Sequence, residues 1–396
     1  MSALLQPLYL RAEELPKLPS RWRPAKVDDI AELLKPGRLY DENSVAPVGD
    51  VPVVNQSKDD FHGFHSDEPG VLASDELPVS TFANHTCAMR LMRRPYSCIQ
   101  NIFSRVGKPG ICDTVFFHYS TLGRVRLSGY KGHHPIYRDT WIPLPPIEVQ
   151  QRIACTLSAY DEAMENNRRR MGLLEKAARL LYEEWFVRLR FPGHEHTPIT
   201  HGIPQGWQKK TAHDATEVLS GGTPKTSNPD FWDGEIPFYT PKDAADGFWV
   251  TDCERTVTEL GLQNCNSRLY PKETVFISAR GTVGKLNLAQ RPMAMSQSCY
   301  ALVTKGHLSQ LFLFSAMQIA VEELRQQAVG AVFDAIIVDT FKRINLLVPE
   351  PRLVRLFDET ATPVFAQLEN LTLQNQKLRT ARDLLLPRLM SGEIEV

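Results

Sequence analysis

Two glycine-lysine pairs begin the pattern of a phosphate-cradling loop, and neither completes it. Such a loop needs G-x-x-x-x-G-K-[ST], so that backbone N–H groups cradle the phosphates, the Lys reaches them and the hydroxyl meets magnesium. Gly284-Lys285 has Ala279 in place of the first Gly and Leu286 after the Lys; Gly107-Lys108 has Ile102 and Pro109. Transfer of a methyl group to adenine would need a Gly-rich cofactor loop and an Asn/Asp-Pro-Pro-aromatic element. Asn228-Pro229-Asp230-Phe231 lacks the second Pro, and no G-x-G loop accompanies it. His62 and His65, and His194, His196 and His201, have spacings a metal could use, but they fall in polar loop sequence and read as solvated histidines. No Ser, His and Asp grouping stands out as a nucleophile site. Arg168-Arg169-Arg170 is a basic run that is either a solvated helix face or a contact for phosphates or an acidic partner.

The elements that carry these residues are bounded by composition. At 396 residues the chain is long enough for two to three domains. Apolar residues are 42% and charged residues 23%, which excludes wholesale disorder. Lys+Arg at 45 against Asp+Glu at 46 excludes a strongly basic nucleic-acid binder and leaves room for local basic patches. The seven cysteines are odd in number and include no C-x-x-C pair, which argues against a disulfide framework or zinc ribbon and fits a reducing compartment. The start, MSALLQPLYLRAEE, lacks the pattern of a signal peptide, and Leu311 to Val321 is about half the length of a membrane span. The expectation is a soluble cytoplasmic protein without a membrane partner.

Two segments read as long helices. The first runs from Ile147 to about Arg190, with the seam Ile153, Leu157, Tyr160, Met164, Asn167, Met171, Leu174, Ala178, Leu181, Trp185, spaced 4, 3 throughout. As a helix it would be roughly 66 Å long. The second runs from Pro351 to Met390, with the seam Phe357, Ala361, Val364, Leu368, Leu371, Asn375, Leu378, Arg382, Leu385, Leu389. Pro363 is expected to kink or break it, and Pro387 and Gly392 to mark its end. A long amphipathic helix cannot bury its seam alone, so the two are expected to pair, antiparallel, with mid-helix amides fixing the register.

The two segments align at an offset of 204: Leu174 with Leu378, Ala177 with Ala381, Leu180-Leu181 with Leu384-Leu385. Ahead of them, Trp22, Asp29, Glu32, Gly49 and Pro52 match Trp207, Asp214, Glu217, Gly234 and Pro237 at an offset of 185, and Asp139-Thr140-Trp141 resembles Asp339-Thr340-Phe341. The chain reads as an internal duplication, each half a globe followed by a rod. Strands are expected at Pro52 to Asn55, Ser97 to Phe103, Thr114 to Tyr119 and Ser298 to Thr304, a strand-turn-strand at Glu273 to Lys285, and a helix at Leu308 to Gln327. The class is α+β: two mixed globes joined by two long helices that form an antiparallel coiled coil. The boundaries are 1–142, 143–192, 193–346 and 347–396.

The whole chain resembles the specificity (S) subunit of type I restriction–modification enzymes. PLPPIEVQQRIACTLSAYDEAMENNRRRMGLLEKAARLLYEEWF (Pro143 to Phe186) resembles the family's central conserved helix, and LLLPRLMSGEI (Leu384 to Ile394) the end of its distal one. GWQKKTAHDATEVLSGGTPKTSNPDFWDGEIPFYTPKD (Gly206 to Asp243) and ISARGTVGK (Ile277 to Lys285) are similar to its target recognition domain. The first globe lacks the GGTP turn, and SRVGKPG (Ser104 to Gly110) resembles the RGTVG turn only in part. The resemblance implies a chain without a catalytic site. Each globe would read one half of a bipartite double-stranded DNA target. The coiled coil would set the spacing and dock two methylation subunits, and restriction subunits would join. S-adenosylmethionine, ATP and magnesium would belong to those partners, with no cofactor or metal in this chain.

Within that frame the candidate DNA contacts are loops rich in Gly, Lys, Arg and amides. In the second globe they are Gly221, Gly222, Thr223 and Lys225, Lys242 and Asp243, Arg280, Gly281 and Thr282, Lys285, and Ser296 and Gln297. Glycine lets backbone N–H groups approach phosphates, and Arg or Gln pairs bidentately with base edges. The same glycines would also suit plain hairpin turns. In the first globe the candidates are Asn55, Lys58, Gln100, Asn101, Arg105 and Lys108. The rival readings are a stand-alone DNA-modifying enzyme, which S-adenosylmethionine binding by the isolated chain would support, and a coiled-coil scaffold that binds only proteins.

Overall fold

The structure, a computed structural model, describes residues 6–58, 60–129, 132–327 and 335–396; the first five residues of the N-terminal segment read above lie outside that set. The chain divides into two units, the first made of Met1–Met164 and Lys377–Val396, the second of Glu165–Gln376.

The first unit opens with β1 (Arg23–Lys26), the short α1 (Val27–Ile30) and β2 (Ala31–Leu33). There follow β3 (Val51–Val54), β4 (Phe61–His65), β5 (Val79–Ala83), β6 (Met89–Met92), β7 (Ser97–Cys98) and β8 (Ile102–Gly107). Then come α2 (Thr114–Thr121), α3 (His134–Asp139), β9 (Trp141–Leu144) and the long α4 (Ile147–Tyr182), whose first part lies in this unit. One sheet has the order β2-β8-β5-β6, a second β4-β3-β7, and β1 pairs with β9. The run Thr114 to Tyr119 is a helix, not the expected strand. Its apolar residues suit either period, and Asp113 decides the matter as an N-cap that accepts from the Phe116 N–H at 2.8 Å. Ser97 to Phe103 is two strands broken by a turn at Gln100-Asn101.

The second unit has the hairpin β10 (Ile199–Thr200) and β11 (Ile203–Pro204), then β12 (Gln208–Thr211), α5 (Ala212–Ala215), β13 (Thr216–Ser220) and β14 (Trp232–Tyr239). It continues with β15 (Trp249–Val250), β16 (Thr256–Val257), α6 (Glu259–Gln263), β17 (Val275–Ser278), β18 (Leu286–Ala289), β19 (Ala294–Met295) and β20 (Cys299–Thr304). It ends with α7 (Gln310–Gln327), α8 (Val338–Arg343), β21 (Asn345–Val348) and the long α9 (Pro351–Ser391), whose last part belongs to the first unit. Its sheets run β13-β20-β17-β18-β15 and β16-β14-β19, and β12 pairs with β21.

The two long helices run antiparallel within each unit. In the first, Ile153 and Leu157 of α4 share a core with Leu386 and Leu389 of α9. The charged seam residue Arg382 is tolerated because Asp161 and Asp383 both pair with it, and Tyr119 Oη donates to Asp161 at 2.6 Å. In the second unit Asn167 Nδ2 donates to Asn375 Oδ1 at 3.0 Å, an amide pair of the kind that fixes register. Further along, Tyr182 and Phe357 meet edge to face. α4 gives way to a single π turn, Glu183–Val187. α9 is unbroken at both prolines. Pro363 sits on the exposed side, where water can replace the N–H it denies to the Glu359 carbonyl, and the helix passes Pro387 to end at Gly392, φ +73. Among the described residues no helix is long and apolar enough to cross a membrane.

The pairing registers equate the two units residue by residue. Val54 lies opposite Cys98 as Tyr239 lies opposite Met295, in both cases parallel. Ile99 N–H donates to Val54 O and Ser296 N–H to Tyr239 O. Val27 N–H donates to Thr140 O and Ala212 N–H to Ile344 O; His133 N–H to Asn84 O and Ile336 N–H to Ala279 O. The offset of 185 therefore holds from β1/β12 through β3/β14, and that of 204 from α3/α8 onward. Asp139-Thr140-Trp141 and Asp339-Thr340-Phe341 are not counterparts. At 204 it is Tyr137 that matches Phe341, and both are buried, 1% and 0% exposed.

A buried histidine is expected to make the first unit acid-sensitive. His118 on α2 is held by Ser80 Oγ at 3.0 Å, and burial pushes its pKa down to about 4 from an ordinary value of 6.5. The unfolded chain thus binds a proton between those values that the folded chain refuses. This group's contribution is complete above pH ~6.5 and is lost as the pH falls toward about 4. Thermal melts of His118→Gln should show a shallower decline across that window than the unaltered chain; identical slopes would mean that the histidine does not set it.

Candidate nucleic-acid interface

In the second unit, four turns carry the candidate residues and are tied to one another. The Ala279–Lys285 turn between β17 and β18 is fixed to the loop after β14 by Thr282 Oγ1, which donates to Pro241 O at 2.9 Å. The same turn is braced inside by Ser278, whose Oγ donates to Thr282 O and accepts from Lys285 N–H. The β19–β20 turn is fixed to the end of β14 by Ser296 N–H, which donates to Tyr239 O at 2.9 Å, and the Gly221-Gly222 turn is fixed to β19 by Gly222 N–H, which donates to Met295 O at 3.2 Å.

The candidates now separate by what they do. A Cβ on Gly221 would overlap the carbonyl oxygens of Ser296 and Met295, and one on Gly222 the backbone of Asn266 and Ser267. These two glycines permit a close backbone crossing in the frame, and both are buried. Thr223 is partly exposed. Asp243 is a loop holder: its carboxylate accepts from Thr240 N–H and Oγ1 at 2.8 and 2.6 Å and from Glu254 N–H at 2.7 Å. Lys285 pairs with Asp246, and Ser296 is 6% exposed. The exposed set is Lys225, Lys242, Arg280, Gly281, Thr282 and Gln297. Among the described residues no side-chain hydrogen bond or ion pair engages Lys225, Lys242, Arg280 or Gln297. Three cations and one amide on braced turns form a surface able to meet phosphates and base edges.

In the first unit, Asn55, Lys58, Gln100 and Asn101 fall together around Gln56. Its Nε2 donates to Gln100 O and Asn101 O at 3.4 and 3.2 Å. Asn55 Oδ1 accepts from Ser57 N–H at 2.9 Å, and Lys58 is exposed. Arg105 and Lys108 are elsewhere, in the middle of β8 and just past its end, about 13 and 23 Å along the strand from Asn101 at ~3.3 Å per residue. Arg105 is 2% exposed. Its Nη2 pairs with Asp28 at 2.7 Å and its Nη1 donates to Ala31 O at 3.2 Å, so it serves as an internal strut. Lys108 Nζ donates to Asp29 O at 2.7 Å. Ser104 to Gly110 is thus not the counterpart of the RGTVG turn, which joins β17 to β18; in the first unit the matching turn joins β5 to β6.

Sequence reasoning passed over that turn, Asn84 to Ala88, and over Gln56. The signal that could have found the turn is its Thr86, three residues before a strand of apolar and basic residues, but only the registers make it visible. His65 is buried, stacked on Tyr40 at 4.1 Å and bonded to Ser97 Oγ at 2.9 Å. Among the described residues no group of three or more His, Cys, Asp or Glu could hold a metal ion.

Residues 204–353, which contain the whole of this second-unit surface, match the family described as type I restriction modification DNA specificity domain. Residues 204–353 thus carry a type I restriction modification DNA specificity domain. A relative in Haemophilus influenzae, the type I restriction enzyme HindI specificity subunit, is 25% identical over 195 residues, 48% of this chain and 42% of the relative. The MjaIX specificity subunit of Methanocaldococcus jannaschii is 24% identical over 268 residues, 65% of this chain and 62% of the relative. The chain thus spans less than two thirds of the length of these curated relatives. The crystal structure of a type I restriction–modification S subunit from M. genitalium shares the fold, with a TM-score of 0.60 at 17% identity over 95% of this chain and 98% of that one.

Proposed function

We propose that this chain is the DNA-reading, non-catalytic component of a type I restriction–modification complex in the cytoplasm. Each globe reads one half of a bipartite double-stranded target, and the chain arose by internal duplication. The target recognition domains are 1–142 and 193–346. The helices of 143–192 and 347–396 form an antiparallel coiled coil that sets the half-site spacing and docks two methylation subunits, with restriction subunits joining them. S-adenosylmethionine, ATP and magnesium chemistry belongs to those partners. The observation that carries this reading is the second-unit surface: Lys225, Lys242, Arg280 and Gln297 unengaged on turns that are hydrogen-bonded to one another. The matching element order of the first unit supports a second reader of the same build.

The test is selection from a randomised DNA duplex library by the chain assembled with its cognate methylation subunits. The expected enrichment is one sequence in two separated parts; an assembled complex that enriches none would end the reading. Arg280→Ala should then weaken one part only. A base contact costs about 1–3 kcal/mol and relaxes particular positions, whereas a phosphate contact lowers affinity for all DNA alike. An unchanged profile would remove Arg280 from the surface.

A further inference from the structure

We propose that His85 is the specificity-determining residue of the first unit, in the position that Arg280 holds in the second. The proposal rests on the DNA-reading function above and adds to it a residue that the motif comparison could not reach.

The equivalence of the two residues follows from strand register. Ala83, the last residue of β5, lies opposite Ile102 of β8, as Ser278, the last residue of β17, lies opposite Cys299 of β20. The next residue makes the same two backbone bonds in both units. Asn84 N–H donates to Asn101 O and Ala279 N–H to Ser298 O; Asn84 O accepts from His133 N–H and Ala279 O from Ile336 N–H. Asn84 is thus Ala279, and the residue that follows each, His85 and Arg280, leaves the sheet at the same point. A further bond agrees. Thr86 Oγ1 donates to Gln56 O at 2.5 Å, and Thr282 Oγ1 to Pro241 O at 2.9 Å. Gln56 and Pro241 are themselves equivalent, each two residues beyond the matched pair Val54 and Tyr239.

The first unit holds this turn more tightly. Gln56 Oε1 accepts from the His85 N–H at 3.1 Å while its Nε2 donates to Gln100 O and Asn101 O. One side chain therefore fixes the backbone of His85 to the turn that carries Gln100 and Asn101. The His85 side chain is exposed, and among the described residues no hydrogen bond, ion pair or ring contact engages it. An imidazole offers one donor and one acceptor when neutral and two donors when charged, which suits a purine edge in the major groove or a phosphate oxygen. An unengaged imidazole on a braced turn has the fixed base and free tip that base reading requires.

The experiment is the duplex selection described above, with His85→Ala and Arg280→Ala run side by side in the assembled complex and affinities measured on the enriched duplex. His85→Ala should lower affinity roughly 5- to 150-fold, the span of a single base contact, and should blur the half-site that Arg280→Ala leaves sharp. The inference is overturned if Arg280→Ala blurs one half while His85→Ala leaves sequence and affinity unchanged, or if both variants blur the same half. Failure of the unaltered complex to enrich any sequence would overturn the function and this inference together. Should His85→Ala lose its thermal transition, His85→Gln decides by the same criteria, because its amide keeps a donor and an acceptor at the turn.

Discussion

Seven residues added to each long helix at facing positions, between Asn167 and Leu174 in α4 and between Leu371 and Leu378 in α9, are expected to lengthen the spacer of the recognised DNA by about three base pairs. Both half-site sequences should stay the same. A heptad is the unit that keeps a 4, 3 seam in phase, so Ala178 and Leu368 would still face inward beyond the insertion. Adding to one helix alone would strand the Asn167–Asn375 amide pair against apolar residues. At 1.5 Å per residue the gain is about 10 Å, and duplex DNA advances about 34 Å per 10–10.5 base pairs. Three base pairs also rotate a half-site by about 100° about the duplex axis, so some affinity should be lost as the DNA twists to compensate. Sequencing of methylated adenines in cells that carry the variant reads the spacer directly. A folded, active variant with the original spacer would mean that the helices do not set the distance.

Phe357→Ala should destabilise the second unit by about 3–5 kcal/mol, the range for deleting a fully buried aromatic ring. Phe357 is 0% exposed. Its ring meets those of Phe186 at 5.4 Å, Tyr182 at 6.1 Å, Phe312 at 6.1 Å and Trp185 at 6.3 Å. The site joins α4, its π turn, α7 and α9, so the cavity cannot be closed by one side chain turning in. Leu384→Ala, at a position 67% exposed on the same helix, should cost well under 1 kcal/mol. Urea unfolding followed by tryptophan fluorescence compares the two, and a Phe357→Ala loss as small as that of Leu384→Ala would show that the aromatic cluster relaxes around the gap.

The long helices were readable from their 4, 3 pattern: Ile153, Leu157, Ala178, Phe357, Ala361 and Leu389 are buried, although at Leu181, Trp185, Val364 and Leu385 it is the next residue, Tyr182, Phe186, Phe365 or Leu386, that is buried. Helix ends were less legible. The kink or break expected at Pro363 and the end expected at Pro387 do not occur, because on a helix held by its partner the loss of one hydrogen bond is absorbed. Strand pairs around Gly- and Lys-bearing turns were found where the apolar run was short and clearly ended, as at β17 and β18. Where an apolar run admits either period, as at Thr114 to Tyr119, the expected strand is the helix α2. In the second unit the turn residues named from the sequence do fall on turns that are bonded to one another. In the first unit Arg105 and Lys108 do not lie on the counterpart of the RGTVG turn, because the spacing between equivalent residues changes across the loops. A turn two residues shorter between β5 and β6 defeats a match at fixed offset, while the backbone bonds of Asn84 and Ala279 survive it.

The close crossing at Gly221 and Gly222 has a consequence for how such a chain changes over generations. Positions that hold the frame admit almost no replacement: any side chain at Gly221 displaces the β19–β20 backbone. At the exposed tips, Lys225, Arg280 and Gln297, no hydrogen bond or ion pair among the described residues engages the side chain. Tolerance to substitution should therefore be sharply two-valued along these loops, near zero at the crossing and nearly complete at the tips. Drift at the tips then leaves folding untouched while it changes what the surface can contact, so a population can hold many recognition variants of one scaffold at little cost in viability.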